Sequence, residues 1–184
     1  MTGTHQDVPC KHKLLLPFFL TKEIAEEAMR MALTSALSED FKRHLRHPNE
    51  PQFHIVMLVS ALEAKAMACY PNLPLYPHTL AEYSYGDRGK WRYDFRQIAR
   101  CKTLQLWQER NNGGTDSSAH LLFPGDTPFW GGILREGIAV GCSGDKPWID
   151  RMIAGITSDI AIALAHDAKV EWIEANPDAC FLPE

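Results

Sequence analysis

The sequence predicts an α/β chain, a central antiparallel sheet flanked by helices. Three observations predict it. Helical and strand periodicities follow one another in the order helix, strand pair, helix, three short strands, helix. Two short apolar runs flank Arg135-Glu136-Gly137, which is hairpin chemistry. Behind them comes a long amphipathic segment with Ile149, Met152, Ile153, Ile156, Ile160, Ala163 and Leu164 at i, i+3, i+4, i+7 spacing.

The first helix starts at Thr21, whose hydroxyl suits an N-cap, and Glu23, Glu26 and Glu27 complement the positive end of its dipole. Ile24, Ala28, Met31, Ala32 and Ser35 form its expected inner face, and the helix ends before His47-Pro48. Phe53 to Ser60 is a β-branched apolar run, read as a buried strand, and Ala64 to Tyr70 is its expected partner. The prolines of Pro71 to Pro77 predict loop, and Tyr83 to Trp91 a polar-aromatic connection.

A second helix is expected from about Tyr93 to Gln108, with Phe95, Ile98, Ala99 and Leu106 on one face. Lys102 falls in the middle of that face. Burying an unpaired ammonium is costly, so Lys102 must snorkel out or meet a partner. Asn111 to Ser118 reads as loop, His120 to Phe123 as a short strand, and Pro124 to Pro128 as a turn. Asp145 is a candidate cap and Pro147 suits the first turn of the last helix, with a tail from about Lys169.

The bulk numbers bound the rest. With 184 residues, 45% hydrophobic and 23% charged, the chain suits one domain over 13–184 behind a loose leader at 1–12. The net charge of −4, and no Lys/Arg stripe read as interleaved with aromatics, argue against nucleic acid as a partner. Lys11-His12-Lys13 and Lys42 to His47 read as solvated basic spots. Leu14 to Leu20 is too short for a membrane span, is broken by Pro17, and precedes no small-residue cleavage site. No membrane partner and a cytoplasmic location are the expectation. Cys10, Cys69, Cys101, Cys142 and Cys180 lie far apart, which favours free thiols.

Candidate site residues gather between Trp130 and Asp150. Gly131, Gly132, Gly141 and Gly144 suit turns or close backbone approach. The Ser143-Gly144 amides, at a helix start, are alternatively an anion pocket. Ser143 lacks a Gly-x-Ser-x-Gly frame and so reads poorly as a nucleophile. Asp150 is either a first-turn carboxylate bracing the corner or a ligand or proton-transfer group. Cys142 is either a small buried residue or a thiol activated by the helix start. His44 and His47 have i, i+3 spacing but sit at an expected exposed helix end. Tyr83, Tyr85, Trp91, Tyr93 and Trp130 either wall a flat ligand or pack in a core or interface.

Pro128-Phe129-Trp130-Gly131-Gly132, then Gly141-Cys142-Ser143-Gly144, Asp150 and Ala154, together with Lys102-Thr103 upstream, resemble the haem-degrading, GlcG/HbpS-like family. That family includes the C-terminal domain of PduO-type proteins. The resemblance spans about 20–168 in element order and is specific in 128–154. Cys142 stands where the family has valine, Ser60-Ala61 replaces an acidic-glycine strand end, and the Gly-Gly follows the proline. The resemblance implies a profilin-like sandwich, a homo-oligomer, and a haem or corrinoid ligand in some relatives. His120 is then the candidate ligand for haem iron.

These readings converge on a homo-oligomer that binds a small carboxylate or a tetrapyrrole such as haem. Lys102, Gly131, Gly132, Ser143 and Gly144 would hold the ligand, and Trp91 and Trp130 would cover it. The alternatives are an enzyme acting on a small organic acid, with Asp150 and Lys102 as acid and base and Cys142 as nucleophile, and a protein-interaction module without chemistry.

Overall fold

A computed structural model of the chain describes residues 14–63, 75–111 and 118–183. The elements are β1 (Leu14–Leu15), α1 (Lys22–Ala36), α2 (Glu39–Lys42), β2 (Phe53–Glu63), β3 (Leu75–Tyr85), α3 (Phe95–Trp107), β4 (Gly132–Arg135), β5 (Ile138–Ser143) and α4 (Pro147–Ala175). All strand pairs are antiparallel. Strand β2 is central: β3 lies along one side of it, while β5 and β1 share the other, and β4 follows β5.

Period-2 alternation in β2 divides the molecule into layers. Phe53, Ile55, Met57 and Val59 point into the main core, where Ala25, Ala28, Met29 and Ala32 of α1 and Ile149, Ile153 and Ala161 of α4 cover them. Leu58 of β2 and Ala139 of β5 meet Leu106 of α3. The sheet is thus flanked by helices on both faces, as the periodicities predict. The β4–β5 hairpin has a two-residue turn with positive φ at Glu136 (49°) and Gly137 (79°), and Arg135 pairs with Ile138. This is a type I′ turn, whose twist matches the strands.

Several expectations are corrected. The buried stripe of α1 is Ala25, Ala28, Met29, Ala32, Leu33 and Ala36, whereas Met31 and Ser35 are exposed. Two apolar stripes compete there, and the alanine-rich one sits closer to its neighbours. Leu75–Tyr85 is a strand, not a proline loop and connection, because an edge strand tolerates Pro77. The segment Ala64 to Tyr70 lies outside the described residues, as do Cys10, Cys69 and the expected leader at 1–12. His120 to Phe123 is not a strand: Ala119–Leu121 forms one 3-10 turn. Helix α4 continues to Ala175, so Lys169 to Ala175 are helical rather than tail. Its N-cap is Lys146, and Asp145 instead accepts from the backbone N–H groups of Arg46 and Lys146. Among the described residues, no helix is long and apolar enough to cross a membrane. Cys101, Cys142 and Cys180 are free.

Candidate ligand-binding cleft

Helix α3 begins at Asp94, whose carboxylate caps it by accepting from the Gln97 N–H at 3.0 Å. Two turns on, Lys102 points inward past the end of β5. Its ammonium donates to Asp150 Oδ2 and to the Cys142 carbonyl, each at 2.9 Å. Both side chains of the pair are only 2% exposed. Asp150 Oδ1 accepts from the Asp145 N–H at 3.1 Å, so the carboxylate braces the turn ahead of its own helix. Burial pushes the Asp150 carboxyl above its usual value, and the Lys102 ammonium pulls it back. Lys102 therefore meets a partner, and that partner is Asp150.

The glycines explain how this pair is reached. Gly131 has φ +128°, and a Cβ there would lie 2.7 Å from Asp150 Cβ and 3.1 Å from Lys102 Nζ. At Gly141 a Cβ would meet Thr103 Oγ1 at 2.2 Å, so α3 rests directly on the β5 backbone. These positions are close approaches, which only hydrogen allows.

Beside the pair lies a cleft of about 750 Å³, bounded by the starts of α3 and α4 and by the segment entering β2. Lys102, Ser143, Gly144 and Asp150 form part of its wall. Arg46, Lys90 and Arg92 add positive charge, and Tyr93 and Phe129 present aromatic rings that are 52% and 53% exposed. Its acids are engaged: Asp150 by Lys102, Asp145 by two backbone N–H groups, and Glu50 by Lys90 at 3.1 Å. Among the described residues, the guanidinium of neither Arg46 nor Arg92 has a carboxylate partner. Arg92 lies over the Tyr93 ring at 5.3 Å.

Other candidates stand apart. Trp91 and Trp130 do not line this cleft: Trp91 packs on His54 and Phe95, with centroids 6.0 and 5.4 Å away. Gly131 backs the pair and Gly132 packs against Leu106 and the β5 backbone, and neither lines the opening. His120 is exposed on its 3-10 turn and outside the lining. Cys142 is fully buried in the main core, and burial pushes its thiol well above the usual value, which corrects the activated-thiol reading. His44 and His47 are exposed; His47 does line the cleft, whereas His44 does not, and no cluster of three or more His, Cys, Asp or Glu suited to a metal occurs among the described residues.

A second polar cluster was not anticipated. On the α3 face of the sheet, His54 Nδ1 is 2.7 Å from Ser84 Oγ, and Nε2 is 3.7 Å from Glu82 Oε2. Arg96 and Arg100 of α3 hold Glu82, while Arg88 donates to Ser84 Oγ at 2.6 Å. His54 is 1% exposed, and burial lowers its pKa to about 4, with Glu82 opposing. The Arg100 and Arg96 hydrogen bonds outweigh the larger single effect of burial and lower the Glu82 carboxyl. The signal was alternation, Glu82-x-Ser84 on one face of a strand; reading that stretch as a connection concealed it. The segment Arg88 to Arg96 also alternates four cations with Trp91, Tyr93 and Phe95, a local pattern that the whole-chain charge of −4 masks. No protein-family model, curated protein or solved structure matches this chain.

Proposed function

We propose that the protein binds a small molecule bearing a carboxylate or phosphate in the cleft beside Lys102 and Asp150. The observation that carries this is the pair of guanidiniums, Arg46 and Arg92, lining a cavity whose acids are already engaged. Guanidinium forks recognise carboxylate and phosphate through two parallel hydrogen bonds. About 750 Å³ is within the usual range for a small-ligand site, and Tyr93 and Phe129 offer apolar contact for the ligand's body. Lys102 plays a supporting part, because Asp150 and the Cys142 carbonyl take two of its three donors.

The same pair is a poor acid and base for chemistry on an organic acid, since each member neutralises the other inside the wall. Haem ligated through His120 finds no support in these residues. Its iron needs a ligand facing the ring, and its macrocycle needs an apolar slot. His120 lies outside the cleft, and although His47 lines it, charged side chains such as Arg46, Lys90, Arg92 and Asp145 interrupt the wall.

Isothermal titration with citrate, inorganic phosphate and AMP at low salt tests the proposal. At least one should bind, and Arg46→Ala and Arg92→Ala should each weaken it by about 10-fold or more, the worth of a charge-assisted hydrogen bond. Heats absent for all three probes, or affinity unchanged in the double variant, would overturn it.

A further inference from the structure

Ser84, His54 and Glu82 come from neighbouring strands, with Ser84 directly opposite His54 in the register. From the geometry of these three side chains we infer that the chain carries a second, hydrolytic site in which Ser84 is the nucleophile, His54 the base and Glu82 the group that orients it. The substrate class is an ester bearing a carboxylate or phosphate.

The Glu82 carboxylate, 3.7 Å from Nε2, favours the tautomer with its proton on that nitrogen. Nδ1 is then bare and accepts the Ser84 hydroxyl at 2.7 Å. Among the described residues, Nε2 has no hydrogen-bond partner in the resting arrangement, although it is buried. A short movement onto Glu82 would satisfy it as the ring gains charge, and such bonds tighten in the reacting complex. Arg96 and Arg100 keep Glu82 ionised and in place. A nucleophile, a base within hydrogen-bond reach and a third group that orients the base make up a triad, on whatever fold they stand.

Arg88 supplies two further parts. Its Nη2 lies 2.6 Å from Ser84 Oγ, beside the position where an oxyanion would form. It also lines a shallow depression of about 400 Å³ together with Trp91, Arg92 and Arg96. Arg88, Arg92 and Arg96 outnumber Asp94, the one acid in its lining, and so favour an anionic substrate. Ser84 is half-buried, and Arg88, which donates to its hydroxyl, links it to this depression.

The step balances without a cofactor. Ser84 Oγ bonds to the acyl carbon while its proton passes to His54 Nδ1. The collapsing intermediate breaks the ester C–O bond, and the leaving alkoxide takes that proton to depart as the alcohol. Water then adds to the acyl-Ser84 carbon and gives a proton to Nδ1. Breaking the acyl–Oγ bond returns that proton to Ser84 and releases the carboxylic acid.

The full chain treated with a fluorophosphonate probe tests this, with 4-nitrophenyl hemisuccinate as substrate. Peptide mass mapping of the unmutated protein should place the phosphonyl adduct on Ser84. Ser84→Ala should lose labelling and lower hydrolysis by on the order of 100-fold or more. Glu82→Gln should lower the acylation rate, and Arg88→Gln should raise KM for hemisuccinate more than for 4-nitrophenyl acetate. An unlabelled protein, or an adduct on any other residue, would overturn the inference. Because the adduct is mapped on the native chain, that result does not depend on a variant folding.

Discussion

Replacing Lys102 by Met removes the ammonium and keeps most of the stem volume. The Asp150 carboxylate, 2% exposed, would then retain only the Asp145 N–H of its described partners. Stripping one member from a buried pair costs about 3–5 kcal/mol, because the other charge is left uncompensated. For a chain of this size that loss lowers Tm by on the order of 10 °C. Asp150→Asn should cost somewhat less, since its amide can still accept from Asp145 and Lys102 keeps the Cys142 carbonyl. Lys102→Met with Asp150→Leu removes both charges and should recover much of the loss, so the double-mutant cycle should show a coupling of several kcal/mol, on the scale of buried pairs. Urea unfolding followed by circular dichroism measures all four corners. The Lys102→Met penalty should also shrink as pH falls, because burial already raises the Asp150 carboxyl and a proton can replace the missing cation. Additive single effects, or a Lys102→Met cost below about 1 kcal/mol, the worth of an exposed pair, would refute the buried-pair account.

Two further outcomes follow from the geometry. Gly137→Ala should cost only about 1–2 kcal/mol for its positive φ, because nothing lies within 4 Å of the added Cβ. Gly144→Ala puts that Cβ 1.9 Å from the Gln52 carbonyl oxygen and should cost clearly more; equal melting temperatures for the two variants would contradict this. His54 gives an acid-side sensitivity. Its pKa falls from 6.5 to about 4 on folding, so the unfolded chain protonates first. The stability from keeping it neutral is complete above pH 6.5 and drains as pH falls towards 4, on the order of 3 kcal/mol in all. Urea midpoints between pH 7 and 4.5 should show the slope and His54→Gln should flatten it; an unchanged slope in that variant would remove His54 as its source.

Local chemistry made much of the fold legible. Thr21 caps α1 by accepting from the Ile24 N–H, Asp94 stands one residue inside the expected start of α3, and the Glu136-Gly137 turn closes the hairpin. Each depends on residues within a few positions of one another. Strand β3 was not legible, because proline chemistry argued for a loop and only an edge position reconciles Pro77 with a ladder. The face of α1 was legible in part: Ala28 and Ala32 are buried and Ile24 packs on the core, but Met31 and Ser35 face out where Ala25, Met29 and Leu33 face in.

The site divides in the same way. Lys102 on an apolar helix face and the small residues of the Gly131–Gly144 region were visible as a lysine in need of a partner and a backbone in need of space. The tertiary structure decided that the partner is Asp150, 48 positions away, and that the glycines admit α3 and α4 to that meeting. It also brought Arg46 to Arg92, and His54 to Ser84 and Glu82. Periodicity and capping are short-range and can be read along a chain. Which charges neutralise one another, and which remain free for a ligand, depends on distances that exist only once the sheet and its helices have closed.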